Sequence, residues 1–129
     1  MKKVIFLATI VACSTTGAFA QKYDDIKGLL ALGQIAKAKE SYDKNSTNEK
    51  FFAKPEGYIL KAALYSNLAL DSSKAAEADK NRTEADAALA KYKELEPDLK
   101  LMEEPTYKNT PYNLYAAYFN AGIADINNK

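Results

Sequence analysis

The chain has 129 residues, 47% of them hydrophobic and 27% charged, which suits one small globular domain and excludes a disordered or membrane-embedded chain. It contains no His and no Trp, and its single Cys is Cys13. With 18 basic and 17 acidic residues the formal charge is +1, so charge alone draws in neither nucleic acid nor an anionic membrane.

The first 20 residues read as an export signal. Met1-Lys2-Lys3 is a positive start, Val4 to Ala12 is an apolar run, and Ala18-Phe19-Ala20 places small residues where a signal peptidase reads, before Gln21. Nine apolar residues extend roughly 13 Å as helix, far short of a bilayer core of about 30 Å. Losing Lys2 and Lys3 with the signal leaves 16 basic against 17 acidic residues, a mature charge of −1. An alternative is a bacterial lipoprotein signal, because Ile10-Val11-Ala12-Cys13 is similar to a lipobox whose Cys13 takes the lipid. The two readings place the protein free in the periplasm or anchored to the outer membrane.

Beyond residue 20 the chain has neither His nor Cys, so it lacks the residues for a Ser–His–Asp or Cys–His site, a disulfide framework or a thiolate zinc site. No cofactor and no metal is expected. Carboxylates cluster at Asp24-Asp25, Glu77/Asp79, Glu84/Asp86, Glu94/Glu96 and Glu103-Glu104, but most interleave with Lys as on a solvated helix face. The expectation is a protein that is not an enzyme.

From residue 21 onward the apolar spacing is helical almost throughout. Ile26, Leu29, Leu30 and Leu32 form a stripe that ends at Gly33, and Ile35, Ala38 and Tyr42 form a second. Asn45 to Asn48 reads as a loop, and Pro55 suits a first helical turn. A strongly apolar helix then carries Tyr58, Ile59, Ala62, Ala63, Tyr65, Leu68 and Leu70 as far as the break at Asp71-Ser72-Ser73. Between Lys74 and Glu96 the chain is charged and alanine-rich. Thr83-x-x-Asp86 is a capping-box pattern that predicts a firm helix from about Thr83, ended by Pro97. Residues 97–111, with three prolines, read as a loop with a short turn at Leu99 to Met102. A last helix follows with Tyr112, Tyr115, Ala116, Phe119, Gly122, Ile123 and Ile126. The fold class is all-α.

Two spacings recur. Ala38-x-x-x-Tyr42 and Ala85-x-x-x-Leu89 pair a small residue with a large one. Tyr58-x-x-x-Ala62-x-x-Tyr65 and Tyr112-x-x-x-Ala116-x-x-Phe119 pair aromatics around a small residue. A small residue lets two helices approach and the large ones fill the groove beside it. At these spacings, with the turn Leu32-Gly33-Gln34-Ile35 and with Pro97 twelve residues after Ala85, the chain resembles the tetratricopeptide-repeat family, in particular small exported proteins of Bacteroidetes-type bacteria. The resemblance covers about residues 22–129. It departs from the family where Lys22 and Ile26 replace the aromatic pattern, where Lys50 stands in place of Pro, and where Ala38 and Ala85 lie about 13 residues further apart than a repeat of ~34.

The resemblance implies antiparallel helical hairpins stacked as an α-solenoid of about two and a half repeats over residues 21–129. Gly33, Ala38, Tyr42, Ala62, Tyr65, Ala85, Leu89, Pro97, Ala116 and Phe119 would be its repeat-packing residues. It also puts first helices along an inner surface, with Ile59, Ala63, Ser66 and Asn67 from one helix and Asn113, Ala117 and Asn120 from another. The candidate binding residues are Tyr58, Lys61, Asn67, Asn113, Tyr115 and Asn120, since Tyr gives rigid area with a polar tip and Asn offers a paired donor and acceptor to a peptide backbone. The last helix has no second helix after it, so it caps the array, begins a longer one, or pairs with another copy. Binding of a protein or peptide in the bacterial envelope is the functional expectation. The alternatives are a small-ligand (for example glycan) site or the helical N-terminal domain of a larger envelope protein.

Overall fold

The computed structural model describes residues 16–127. The export-signal features up to residue 15, Cys13 among them, lie outside the described residues. Five α-helices run in chain order as α1 (Thr16–Ala31), α2 (Ile35–Ser46), α3 (Pro55–Leu70), α4 (Ala78–Leu95) and α5 (Thr110–Asn127), and no strand occurs among the described residues. Helix α1 runs unbroken across the Ala20–Gln21 bond.

The breaks have local causes. Gly33 takes the left-handed φ of +68°. Its N–H donates to the Leu30 carbonyl at 3.0 Å, and that of Gln34 donates to Leu29 at 2.9 Å, a Schellman closure that turns α1 directly into α2. Pro55 occupies the first turn of α3, where a missing N–H costs nothing. Asp71 ends α3 and accepts from the Ser73 N–H at 3.0 Å, starting a short 3-10 turn over Ser72–Glu77. Helix α4 starts at Ala78, five residues before the Thr83 expected from the capping-box pattern. The Thr83 hydroxyl bonds back to the Asp79 carbonyl at 3.0 Å inside the helix, so it is not a cap. At the other end of α4, the Glu96 carboxylate accepts from the Tyr92 hydroxyl at 2.5 Å and from the Leu101 N–H at 3.1 Å, which folds the chain into a 3-10 turn over Lys100–Glu103.

Helix α3 is the hub. It packs most extensively on α4 and next on α5, and it also touches α1 and α2; α1 and α2 pack on each other. Nine of its sixteen residues are buried, Ile59, Leu60, Ala62, Ala63 and Leu64 among them. An amphipathic surface helix would bury one stripe, whereas α3 is covered on nearly all sides. Facing it, Ala38 and Tyr42 on α2 and Ala85 and Leu89 on α4 are buried, their small residues allowing close approach. Tyr65 is half-buried in edge contact with Tyr42, ring centroids 5.8 Å apart.

Three fully buried aromatics come from outside the expected stripes: Tyr23, Phe51 and Tyr107. Phe51 sits in a 3-10 turn (Glu49–Phe52) and meets Tyr23 edge-on at 4.9 Å and Tyr42 at 5.6 Å. The Tyr23 hydroxyl donates to the Phe51 carbonyl. That same carbonyl oxygen lies against Gly57, where an added Cβ would collide with it, so α3 can pass this turn only with glycine there.

Two packing expectations change. Leu32, placed on the first stripe, is 72% exposed, because the Schellman turn swings it out past the end of α1. On α5, Ala116 is only half-buried and Phe119 is 55% exposed; Thr110, Leu114 and Ala117 are the buried residues. Helix α5 is apolar on two opposite sides, and the side turned inward is not the one that carries the aromatic-small spacing.

Candidate functional site

A polar junction fixes where α5 begins. Lys27 on α1 reaches three carboxylates, Glu104 at 3.0 Å, Glu56 at 3.1 Å and Asp24 at 3.4 Å. The hydroxyl of the buried Tyr107 donates to the same Glu56 oxygen at 3.2 Å, and the Lys27 ammonium stands 5.7 Å over the Tyr107 ring. The connection between α4 and α5 is thereby clamped beneath α1 and α3.

Electrostatics makes this junction a lock. Burial works against the Lys27 charge, but hydrogen bonds to Glu104 and Glu56 overcome it and hold the ammonium above the ordinary Lys range. Burial, reinforced by Glu56, pushes the Tyr107 phenol far up and the Tyr23 phenol up to about 12. These shifts move away from neutrality, opposite to what a general acid or base working near pH 7 requires. Among the described residues, no group of three or more His, Cys, Asp or Glu side chains is placed to hold a metal ion.

Beside the junction lies a depression of about 340 Å³ between α1, α3 and the start of α5, lined by Leu30, Ala31, Asn67, Pro105, Thr106, Asn109 and Asn113. Asn67 and Asn113, from α3 and α5, meet across it: the Asn113 amide stands 3.5 Å from the Asn67 Oδ1. The Asn67 Nδ2 donates to the Ala63 carbonyl at 2.8 Å, which orients its oxygen outward. At 3.5 Å the amide–amide contact is long, so both groups keep hydrogen-bonding capacity for a ligand. Asn109, Thr106 and the Pro105 segment complete a rim that the sequence expectations did not include. The signal available was the polar Asn109 just before the last helix.

The other candidate residues lie elsewhere. Tyr58 and Lys61 line a separate hollow of about 250 Å³ with Phe52, Ala87 and Ala88. Lys61 is engaged there, paired with Glu84 at 2.5 Å and set 5.7 Å over the Tyr65 ring, and its hydrogen bond draws the Glu84 carboxyl below its usual range. Asn120 is exposed at the edge of a cavity of about 440 Å³ between the α3–α4 connection and the distal half of α5. There Arg82 pairs with Asp79 and lies 5.6 Å over the Tyr118 ring. Tyr115 is exposed and stacks on Phe119, centroids 6.3 Å apart. Ile59, Ala63, Ser66 and Ala117, placed on an inner surface by family resemblance, are core residues: the first three because α3 is enclosed by the other four helices, and Ala117 because it lies on the covered side of α5. The six candidates thus fall on distinct surfaces: Asn67 and Asn113 share one hollow, Tyr58 and Lys61 share another, and Tyr115 and Asn120 stand apart from both.

No family model, curated protein or solved structure matches the chain. No helix among the described residues is long and apolar enough to cross a membrane.

Proposed function

We propose that this protein is a non-catalytic helical-repeat module of the tetratricopeptide type, exported to the bacterial envelope, that holds an extended peptide segment of a partner protein. The observation that carries the reading is the meeting of Asn67 and Asn113 across a hollow of about 340 Å³, close to the lower end of the size range of ligand sites. Carboxamides can donate and accept at once, the need of a peptide backbone, and Leu30 and Pro105 add apolar walls. The repeat assignment draws support from the packing order: α1 with α2, α3 with α4, and α5 laid against α3 in the place of the next first helix. Export draws support from the charged start and apolar run ahead of Ala18-Phe19-Ala20.

The test is an array of extended peptides probed with the purified protein. Asn67→Ala with Asn113→Ala should weaken the best binder tenfold or more, about 1.4 kcal/mol, with unchanged melting. Lys61→Ala should leave binding intact. Equal binding by the double variant would overturn the site.

A further inference from the structure

Helix α5 presents to solvent a stripe opposite the face it buries. Tyr112, Tyr115, Phe119, Ile123 and Ile126 are 71%, 66%, 55%, 43% and 73% exposed, and their spacing of three, four, four and three residues keeps them on one side of a helix. That spacing reads the same from either end. Turned about Phe119, Tyr112 takes the place of Ile126, Tyr115 that of Ile123, and the small Ala116 that of the small Gly122. We infer that two copies of this chain associate through α5, antiparallel, about a two-fold axis that passes beside Phe119.

Each feature of the stripe serves such a pairing. An isologous contact sets a patch against itself, so a palindromic row puts each Tyr beside an Ile and Phe119 beside its own copy. Ala116 and Gly122 flank the axis symmetrically and let the two backbones close up. Charge agrees: Asp125 is the one charged residue of α5 and lies off the stripe, so like faces meet without repulsion. The same lack of Lys and Arg leaves nothing to attract nucleic acid or anionic lipid to this face. The area is sufficient as well. At ~200 Å² for a full aromatic side chain, the stripe exposes roughly 500 Å² per copy, and two copies together reach the threshold of about 1,000 Å² for a specific interface. Asn113 lies about 120° round the helix from Phe119, so the stripe and the peptide hollow occupy different faces of α5.

Cross-linking of the full chain in a Cys13→Ser background tests this arrangement. Phe119→Cys should oxidise to a disulfide-linked pair, since a residue on the axis faces itself. Tyr112→Cys alone should not, because its copy would lie about 21 Å away along the antiparallel helix. Mixing Tyr112→Cys with Ile126→Cys should give the cross-linked pair. In sedimentation the unmodified chain should have the mass of two chains, and Phe119→Asp, setting two carboxylates face to face, should weaken association roughly a hundredfold or more while keeping its helical spectrum. A single-chain mass at every concentration overturns the inference, and so does self-linking of Tyr112→Cys as efficient as that of Phe119→Cys.

Discussion

Helices α3 and α5 are about equally hydrophobic and have opposite fates. Both are apolar on more than one side and almost uncharged, α3 with Glu56 and Lys61 and α5 with Asp125. Yet α3 buries nine residues and α5 three, because α3 has neighbours on four sides while α5 leans on α3 and α4. The difference lies in position, since only the centre of a helical stack can bury a helix that is apolar all round. On α5 the second apolar side is left over, and it is the side that carries a regular, symmetric row.

The largest contrast comes from truncating one large side chain on each helix. Leu64→Ala on α3 should cost about 2–5 kcal/mol, as expected for a fully buried leucine in a tight core. Phe119→Ala should change the stability of a single chain by less than about 0.5 kcal/mol, a surface-sized effect. Denaturant midpoints measured at a concentration too low for association would read both. Comparable losses would erase the distinction between the helices.

A smaller effect concerns the covered tyrosines. Burial, helped by Glu56, raises Tyr23 from 10.0 to about 12; burial, helped by Glu96, does the same for Tyr92. A raised phenol pKa means that the fold favours the neutral form. Its stabilisation is therefore complete below pH 10 and is lost as pH climbs from 10 toward 12. Denaturant midpoints across that window should fall, with the phenolate absorbance of these two covered tyrosines appearing only together with unfolding. Ionisation of these two phenols at pH 10 in a fully folded chain would contradict their burial.

The smallest effect belongs to the covered side of α5. The Thr110 hydroxyl is buried and has no hydrogen-bond partner among the described residues. Thr110→Val, nearly the same in shape, should leave stability unchanged or raise it by up to about 1 kcal/mol. A clear loss in thermal melting would mean that the hydroxyl is satisfied and that this end of α5 is more polar than described.

Much of the fold was legible because its punctuation is local. Gly33, Pro55 and Pro97 act through their own backbone and Asp71 through a carboxylate that reaches only two residues on, so the helix ends near them follow from the local residues. Thr83 misled because a hydroxyl that caps a helix can equally bond back inside one. The contacts of Phe51, Tyr23 and Tyr107 were not legible, since each depends on residues 28 or more positions away: Tyr23 on Phe51, and Tyr107 on Glu56. The same holds for Lys27, one of many lysines in sequence and the centre of a three-carboxylate junction in space. Of the candidate site, Asn67 and Asn113 were named through the repeat resemblance, and their depression also needed the loop holding Pro105 and Thr106. On α5, two apolar faces satisfied the same pattern, and spacing alone could not choose between Leu114 and Phe119.

Amide hydrogen exchange, compared between the unmodified chain and Phe119→Asp, tests most directly the contrast between a covered helix and a half-covered one. Helix α3 should exchange slowest in both, and α5 should be well protected in the unmodified chain and lose much of that protection in the variant. Identical α5 exchange in the two proteins would contradict that contrast.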